Sequence, residues 1–143
     1  MEESYCYEDR NLYCRMYGRL YTWLAAMYAC PEGWHLPSTA EFQTLFAAVG
    51  GEDIAGTVLK SKSGWYNNGN GTNAFGFSAL PAGVRVNYGV FLDAGNGAYF
   101  WSATEYDSSD AYGMYLYYND DIAYLDYDDE STARSVRCLR DSK

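Results

Sequence analysis

Residues 104–133 read TEYDSSDAYGMYLYYNDDIAYLDYDDESTA. The stretch holds seven tyrosines, at 106, 112, 115, 117, 118, 124 and 127, and nine carboxylates, but no Lys, Arg or His. Ala111–Tyr118 and Ile122–Tyr127 have the length and the β-branched and aromatic content of strands. A two-residue turn at Asp120-Asp121 would make them a hairpin, pairing Tyr118 with Ala123, Tyr117 with Tyr124, Leu116 with Leu125, Tyr115 with Asp126 and Met114 with Tyr127. Side chains alternate across a strand. That register sends Met114, Leu116, Tyr118, Ala123, Leu125 and Tyr127 to one face and Tyr115, Tyr117, Tyr124 and Asp126 to the other. The first face is the better core. The second is a tyrosine cluster with a carboxylate. Tyrosine gives rigid, amphipathic contact area at low entropy cost, so the second face is expected to bind a ligand. A solvated sheet face with cross-strand tyrosine pairs and an oligomer interface are the competing readings.

Working outward, Ala98–Ala103 and Ser135–Arg140 also read as strands, which makes the last third a sheet. Helices come earlier. Thr22 is a plausible N-cap for a helix to Cys30, with Trp23, Ala26, Met27 and Cys30 on one stripe. Ser38-Thr39-Ala40-Glu41 is a capping box that opens a second helix to about Val49, with Phe42, Leu45, Phe46 and Val49 on one face and Gly50-Gly51 ending it. Residues 4–14 show no period and read as a loop or short strand; Tyr17–Tyr21 reads as a strand. Regularity fades from Glu52 to Gly71, where Ile54, Val58 and Leu59 are expected to touch the core and Trp65 to anchor a loop. Phe75–Ala79 and Gly83–Val86 read as short strands around Pro81, and Gly89–Gly97 as a loop. The GNG triplets at 69–71 and 95–97 read as turns rather than phosphate loops. Helices early and antiparallel hairpins late predict one α+β domain over residues 1–143, with a scaffold (1–97) and a C-terminal sheet (98–143).

The chain has 143 residues, is 48% hydrophobic and 18% aromatic, and carries a formal net charge of −9. It is long enough to bury a core. No cation lies between Arg85 and Arg134, which disfavours nucleic acid, whose phosphates demand cationic neutralisation, and anionic membrane surfaces. No apolar run is long enough to span a bilayer. The acidic start Met1-Glu2-Glu3 does not read as a signal peptide, although a mature secreted chain would look the same. Cys6, Cys14, Cys30 and Cys138 lack CxxC spacing and there is one histidine, so zinc is disfavoured. Disulfides are preferred over four buried thiols. His35, between Trp34 and Leu36-Pro37, reads as a packed, hydrogen-bonded residue. No Ser or Cys stands in a nucleophile motif, and the carboxylates are not set in apolar surroundings, so an enzyme and a cofactor are not expected. Asp126, Asp128, Asp129 and Glu130 supply oxygens of the kind calcium takes, but the spacing is not that of an EF-hand, and a solvated acidic loop is the simpler reading.

Five segments carry a resemblance: Tyr17-Gly18-Arg19-Leu20-Tyr21-Thr22-Trp23, Ala29-Cys30-Pro31-Glu32-Gly33-Trp34-His35-Leu36-Pro37-Ser38, Phe75-Gly76-Phe77-Ser78-Ala79-Leu80-Pro81-Ala82-Gly83, Trp101-Ser102-Ala103-Thr104-Glu105 and Ser135-Val136-Arg137-Cys138-Leu139-Arg140. In order, over nearly the whole chain, they resemble the Fibrobacter succinogenes major paralogous domain. The resemblance implies a C-type lectin-like fold with two helices flanking antiparallel sheets, and bridges Cys30–Cys138 and Cys6–Cys14. It also implies kinship with the variable proteins of diversity-generating retroelements, in which Asn codons of a C-terminal repeat are rewritten. By position, the implied variable, ligand-binding residues are Asp110, Tyr112, Gly113, Tyr115, Tyr117, Tyr118, Asp120, Asp121, Ala123, Tyr124, Asp126, Tyr127, Asp128 and Asp129. The EPN, QPD and WND motifs of calcium lectins and the paired cysteines of formylglycine-generating enzymes are absent. The expectation is therefore an extracellular or surface-displayed, non-enzymatic binding domain for a protein or glycan of neutral or basic character. A carbohydrate-binding or calcium-dependent lectin module is the alternative.

Overall fold

The computed structural model describes residues 3–142; Met1 and Glu2, from the acidic start, and Lys143 lie outside the described residues. Among the described residues there are four α-helices: α1 (Asn11–Tyr17), α2 (Trp23–Met27), α3 (Thr39–Ala48) and α4 (Glu52–Leu59). The strands are β1 (Ser4–Tyr5), β2 (Leu20–Tyr21), β3 (Trp34–His35), β4 (Val84–Arg85), β5 (Phe91–Leu92), β6 (Gly97–Glu105), β7 (Asp110–Tyr117), β8 (Tyr124–Asp129) and β9 (Leu139–Arg140). The order β6-β7-β8 makes one three-stranded antiparallel sheet, while β1-β2, β3-β9 and β4-β5 are antiparallel pairs. Helices and antiparallel sheets together make the chain an α+β protein.

The α3 helix follows its sequence signals. Ser38 Oγ accepts from the Glu41 amide at 3.1 Å, and the Glu41 carboxylate accepts from the Ser38 amide at 2.9 Å, so both free amides are satisfied. Phe42, Phe46 and Val49 are buried one turn apart. Gly50 and Gly51 then turn the chain at φ of +117° and +108°, where a side chain would be strained. Where irregular chain was expected, α4 begins at once, with Glu52 and Asp53 complementing its N-terminal dipole. It presses Ala55, Gly56 and Leu59 inward. Ile54, expected to touch the core, is 47% exposed on the outer side.

Other expectations shift for local reasons. The stretch 4–14 runs into α1, none of whose residues is fully buried, although Tyr13 and Tyr17 pack against the cluster around Tyr7 and Leu20. The Cys6–Cys14 bridge fastens it as well. The strand expected over 17–21 contracts to β2, because Gly18, at φ +81°, ends α1. α2 stops at Met27, which is 41% exposed, and Thr22 makes no side-chain cap; Trp23 instead anchors the turn by donating Nε1–H to the Ser102 carbonyl at 2.9 Å. Residues 75–79 form no strand, and the segment expected as a Gly-rich loop contains β5. Both disulfides implied by the resemblance are present, Cys6–Cys14 and Cys30–Cys138.

The main core lies between α3, α4 and one face of the large sheet, where Phe42, Phe46, Ala55, Leu59, Phe100, Met114 and Leu116 meet. Trp65 belongs to it and, as expected, anchors its loop, donating Nε1–H to Ser61 Oγ at 3.0 Å. A second cluster gathers Tyr7, Leu20, Ala82 and Ala133, and a third Ala26, Leu36, Trp101 and Ala111. Residues 133–135 stitch the clusters together through bridges to Arg85, Tyr21 and Phe100.

Candidate functional site

The β7–β8 register differs from the expected one. Met114 faces Leu125, Tyr115 faces Tyr124, Gly113 faces Asp126 and Tyr112 faces Tyr127. Each partner is displaced by two residues, and the connection is a long loop rather than a two-residue turn. The loop is held from below: buried Lys60 donates Nζ–H to the carbonyls of Tyr117 (2.8 Å) and Asp120 (3.1 Å), and Thr57 Oγ1–H bonds Asp121 at 2.7 Å. Burial pushes the Lys60 ammonium down, and Asp121 and Asp120 partly restore it. Asp120 and Asp121 thus belong to a braced loop instead of a hairpin tip. Gly56 leaves the space this needs, since a Cβ there would lie 2.7 Å from the Ile122 carbonyl oxygen.

Because the displacement is an even number, the two faces keep their membership. Met114, Leu116 and Ala123 are buried, with Leu125 and Tyr118 packed against them. On the other face, Tyr99 of β6 joins Tyr115, Tyr117 and Tyr124 in a chain of ring contacts, with centroids 5.4 to 5.9 Å apart. These tyrosines, with Asp126, Asp128 and Arg134, line a cup of about 400 Å³. Tyr115, expected on display, is only 7% exposed and forms the floor. Tyr117 and Tyr124 are half-buried walls, and Asp126 stands exposed at the rim.

Arg134, missed in the sequence, organises the cup. It is 2% exposed, donates Nε–H to Thr132 Oγ1 and Nη2–H to Asp128 Oδ2, each at 2.9 Å, and stands over the rings of Trp101 (4.7 Å), Tyr115 (4.9 Å) and Tyr99 (5.5 Å). The signal was a lone cation ending a long cation-free run. Burial pushes the Tyr115 hydroxyl up to about 12 against the opposing pull of Arg134. The Tyr99 hydroxyl also rises, through burial and its bond to Asp93. The Tyr124 hydroxyl donates to Asp120, which raises the phenol and lowers the carboxyl.

The other predicted positions lie elsewhere. Tyr112 and Tyr127 sit on the opposite face beyond the core. Tyr127 is exposed and stacks on Tyr106 at 3.7 Å, while Tyr112 meets both rings edge-on. The burial expected for Tyr127 fails: it is 41% exposed and packs on Tyr106 and Tyr112 instead of on the core. Tyr118 packs edge-on against Tyr66. Gly113 and Ala123 are buried and offer no contact surface; a Cβ on Gly113 would lie 2.6 Å from the Phe100 carbonyl oxygen. Asp110 and Asp129 belong to an acidic corner with Asp107, Glu105 and Glu130. Burial and the neighbouring Glu105 push the Glu130 carboxyl up to about 7, and burial with Asp107 and Asp129 raises Asp110. Asp129 is held low by Ser131. Among the described residues no group of three or more His, Cys, Asp or Glu side chains is set to hold a metal ion, and no helix is long and apolar enough to cross a membrane. His35 is hydrogen-bonded as expected, clasped between Asp141 (2.6 Å) and Glu41 (2.9 Å), which raise its pKa.

No match was found among curated proteins or among solved structures. The family description "Fibrobacter succinogenes major domain" matches residues 1–140. The chain, with its scaffold motifs spread from Tyr17 to Arg140, belongs to the Fibrobacter succinogenes major domain family.

Proposed function

We propose that the chain is a non-enzymatic recognition domain, in which a C-type lectin-like scaffold presents a Tyr/Asp-rich surface to a protein ligand outside the cell. The carrying observation is the separation of labour in the large sheet. Met114 and Leu116 complete the core, while Tyr117, Tyr124 and Asp126 surround an open cup that the core does not need. Tyrosine rings with carboxylates between them supply apolar area and acceptors in one surface, the composition that adaptable binding faces use. The two disulfides suit an oxidising compartment. Diversification by a retroelement would account for Tyr and Asp in this segment, since rewritten Asn codons can become Tyr or Asp codons.

Sequencing the locus across related strains tests this reading. Copies should differ at Tyr112, Tyr117, Tyr118, Tyr124, Asp126 and Tyr127 while Gly113, Met114, Leu116, Ala123 and Arg134 stay constant. A reverse transcriptase should lie beside a near-copy of the 3′ coding end that differs at adenines. Variation spread evenly over core and surface, or a face identical in every copy, would overturn it.

A further inference from the structure

We propose that the cup takes a cationic side chain, an arginine or lysine, of the protein partner; this rests on reading the face as a recognition surface. The inference comes from where the hydroxyl protons go. Tyr99 donates its proton to Asp93 at 2.5 Å, Tyr115 to the Asp126 carbonyl at 2.9 Å, and Tyr124 to Asp120. Tyr117 meets Tyr99 edge-on, with ring centroids 5.8 Å apart. Three of the four hydroxyl protons therefore point into the protein. Arg134, which also lines the cup, is 2% exposed and already bonds Thr132 and Asp128, leaving the buried Nη1 as its one nitrogen without an oxygen partner. What faces outward is mainly acceptor lone pairs, ring faces and the carboxylate oxygens of Asp126 and Asp128.

A surface with more free acceptors than donors favours a ligand that donates. Lysine carries three donors and arginine five, and neither carries an acceptor. Ring faces add attraction for a cation. Charge agrees with hydrogen bonding: Asp93, Asp120, Asp126 and Asp128 surround the cup against the single charge of Arg134, which Asp128 already partners. Arg134 beneath the floor shows the same chemistry completed internally, a guanidinium between aromatic rings and an aspartate. A saccharide, whose hydroxyls seek donors as well as acceptors, would satisfy half its groups here.

The test is NMR titration of the folded, disulfide-bonded chain with acetyl-Gly-Arg-Gly-amide and with the same peptide carrying citrulline, the neutral isostere of arginine. The arginine peptide should shift the amides of Tyr117, Tyr124 and Asp126 saturably, and citrulline should bind at least about tenfold more weakly. Binding should weaken as salt shortens the screening length from about 30 Å to about 10 Å. D126N should lose most of the response, and Y117A/Y124A all of it, with the rest of the spectrum unchanged. Equal response to both peptides, response to methyl glucoside in place of arginine, or no shift at the cup would overturn the proposal. An invariant face across strains with arginine binding intact would overturn the recognition reading alone. A variable face with no arginine response would overturn this inference alone.

Discussion

Replacing Arg134 by Met asks whether the tyrosine cup stands on one buried cation. Removing one member of a fully buried ion pair costs about 3–5 kcal/mol, because the survivor is stranded without water. Here the survivor is not stranded: Asp128 is 57% exposed and rehydrates. Its share of the pair is that of a surface bridge, below about 1 kcal/mol. The outright losses are the Nε–H bond to Thr132, about 1 kcal/mol, and the guanidinium's place over Trp101, Tyr115 and Tyr99, about 0.5–2 kcal/mol. Met refills the apolar volume but not the planar slot, and it relieves the chain of burying a charge. The expected cost is about 2–3 kcal/mol, a melting temperature lower by about 6–12 °C for a chain of this size. Calorimetry should show Asp128→Asn costing more than about 1 kcal/mol, because the survivor there is Arg134, which is 2% exposed and left without its counter-charge. If Arg134→Met melted with the parent, or Asp128→Asn were neutral, the account of the cup's floor would be refuted.

Glu130 should make the protein less stable as pH rises. Its carboxyl, raised to about 7 from an ordinary 4.5, binds a proton in the folded chain that the unfolded chain has released, so its contribution fades between those values. Glu130→Gln should leave the melting temperature near pH 4.5 almost unchanged and raise it at about pH 8; a parallel offset at all pH values would contradict this. His35, raised by Asp141 and Glu41, acts in the same direction: His35→Gln should cost stability below its ordinary value of 6.5 and cost progressively less as pH climbs through the raised one. Denaturation after replacing Cys30 and Cys138 by Ser should show a loss of about 4–5 kcal/mol, since that bridge spans 108 residues, against about 2–3 kcal/mol for Cys6 and Cys14, which span 8. Gly113→Ala should destabilise by more than about 1 kcal/mol in urea unfolding, because the new methyl meets the Phe100 carbonyl, whereas exposed Asp126→Ala should stay within about 0.5 kcal/mol.

The sequence was legible where a signal was local. The capping box fixed α3 because its two hydrogen bonds lie within four residues. α4 was invisible because its inward face is Ala55, Gly56 and Leu59; two of the three are small and carry little hydrophobic signal, while the conspicuous Ile54 points out. α1 was invisible because a disulfide and two half-buried tyrosines, Tyr13 and Tyr17, secure it in place of a stripe of fully buried aliphatic residues. Arg134 escaped because its role depends on rings from Tyr99, Trp101 and Tyr115, which only the assembled sheet brings to one place.

The hairpin shows most sharply which sequence errors matter. Placing a tight turn at Asp120-Asp121 put every pair two residues from its partner, yet Leu116 and Met114 still fell in the core and Tyr117, Tyr124 and Asp126 on the cup side. The pleat repeats every two residues, so an even slip moves a contact along the strand without turning it over, whereas a slip of one would have exchanged core and surface. Face membership therefore survives an error that pairwise contacts do not. What the error concealed was the loop. Asp120 appeared as a free tip, but Lys60 ties its carbonyl down and its side chain accepts the Tyr124 proton. That bond is one of those that turn the cup into a surface of acceptors, so the specificity argued for the cup was hidden in the register rather than in the composition.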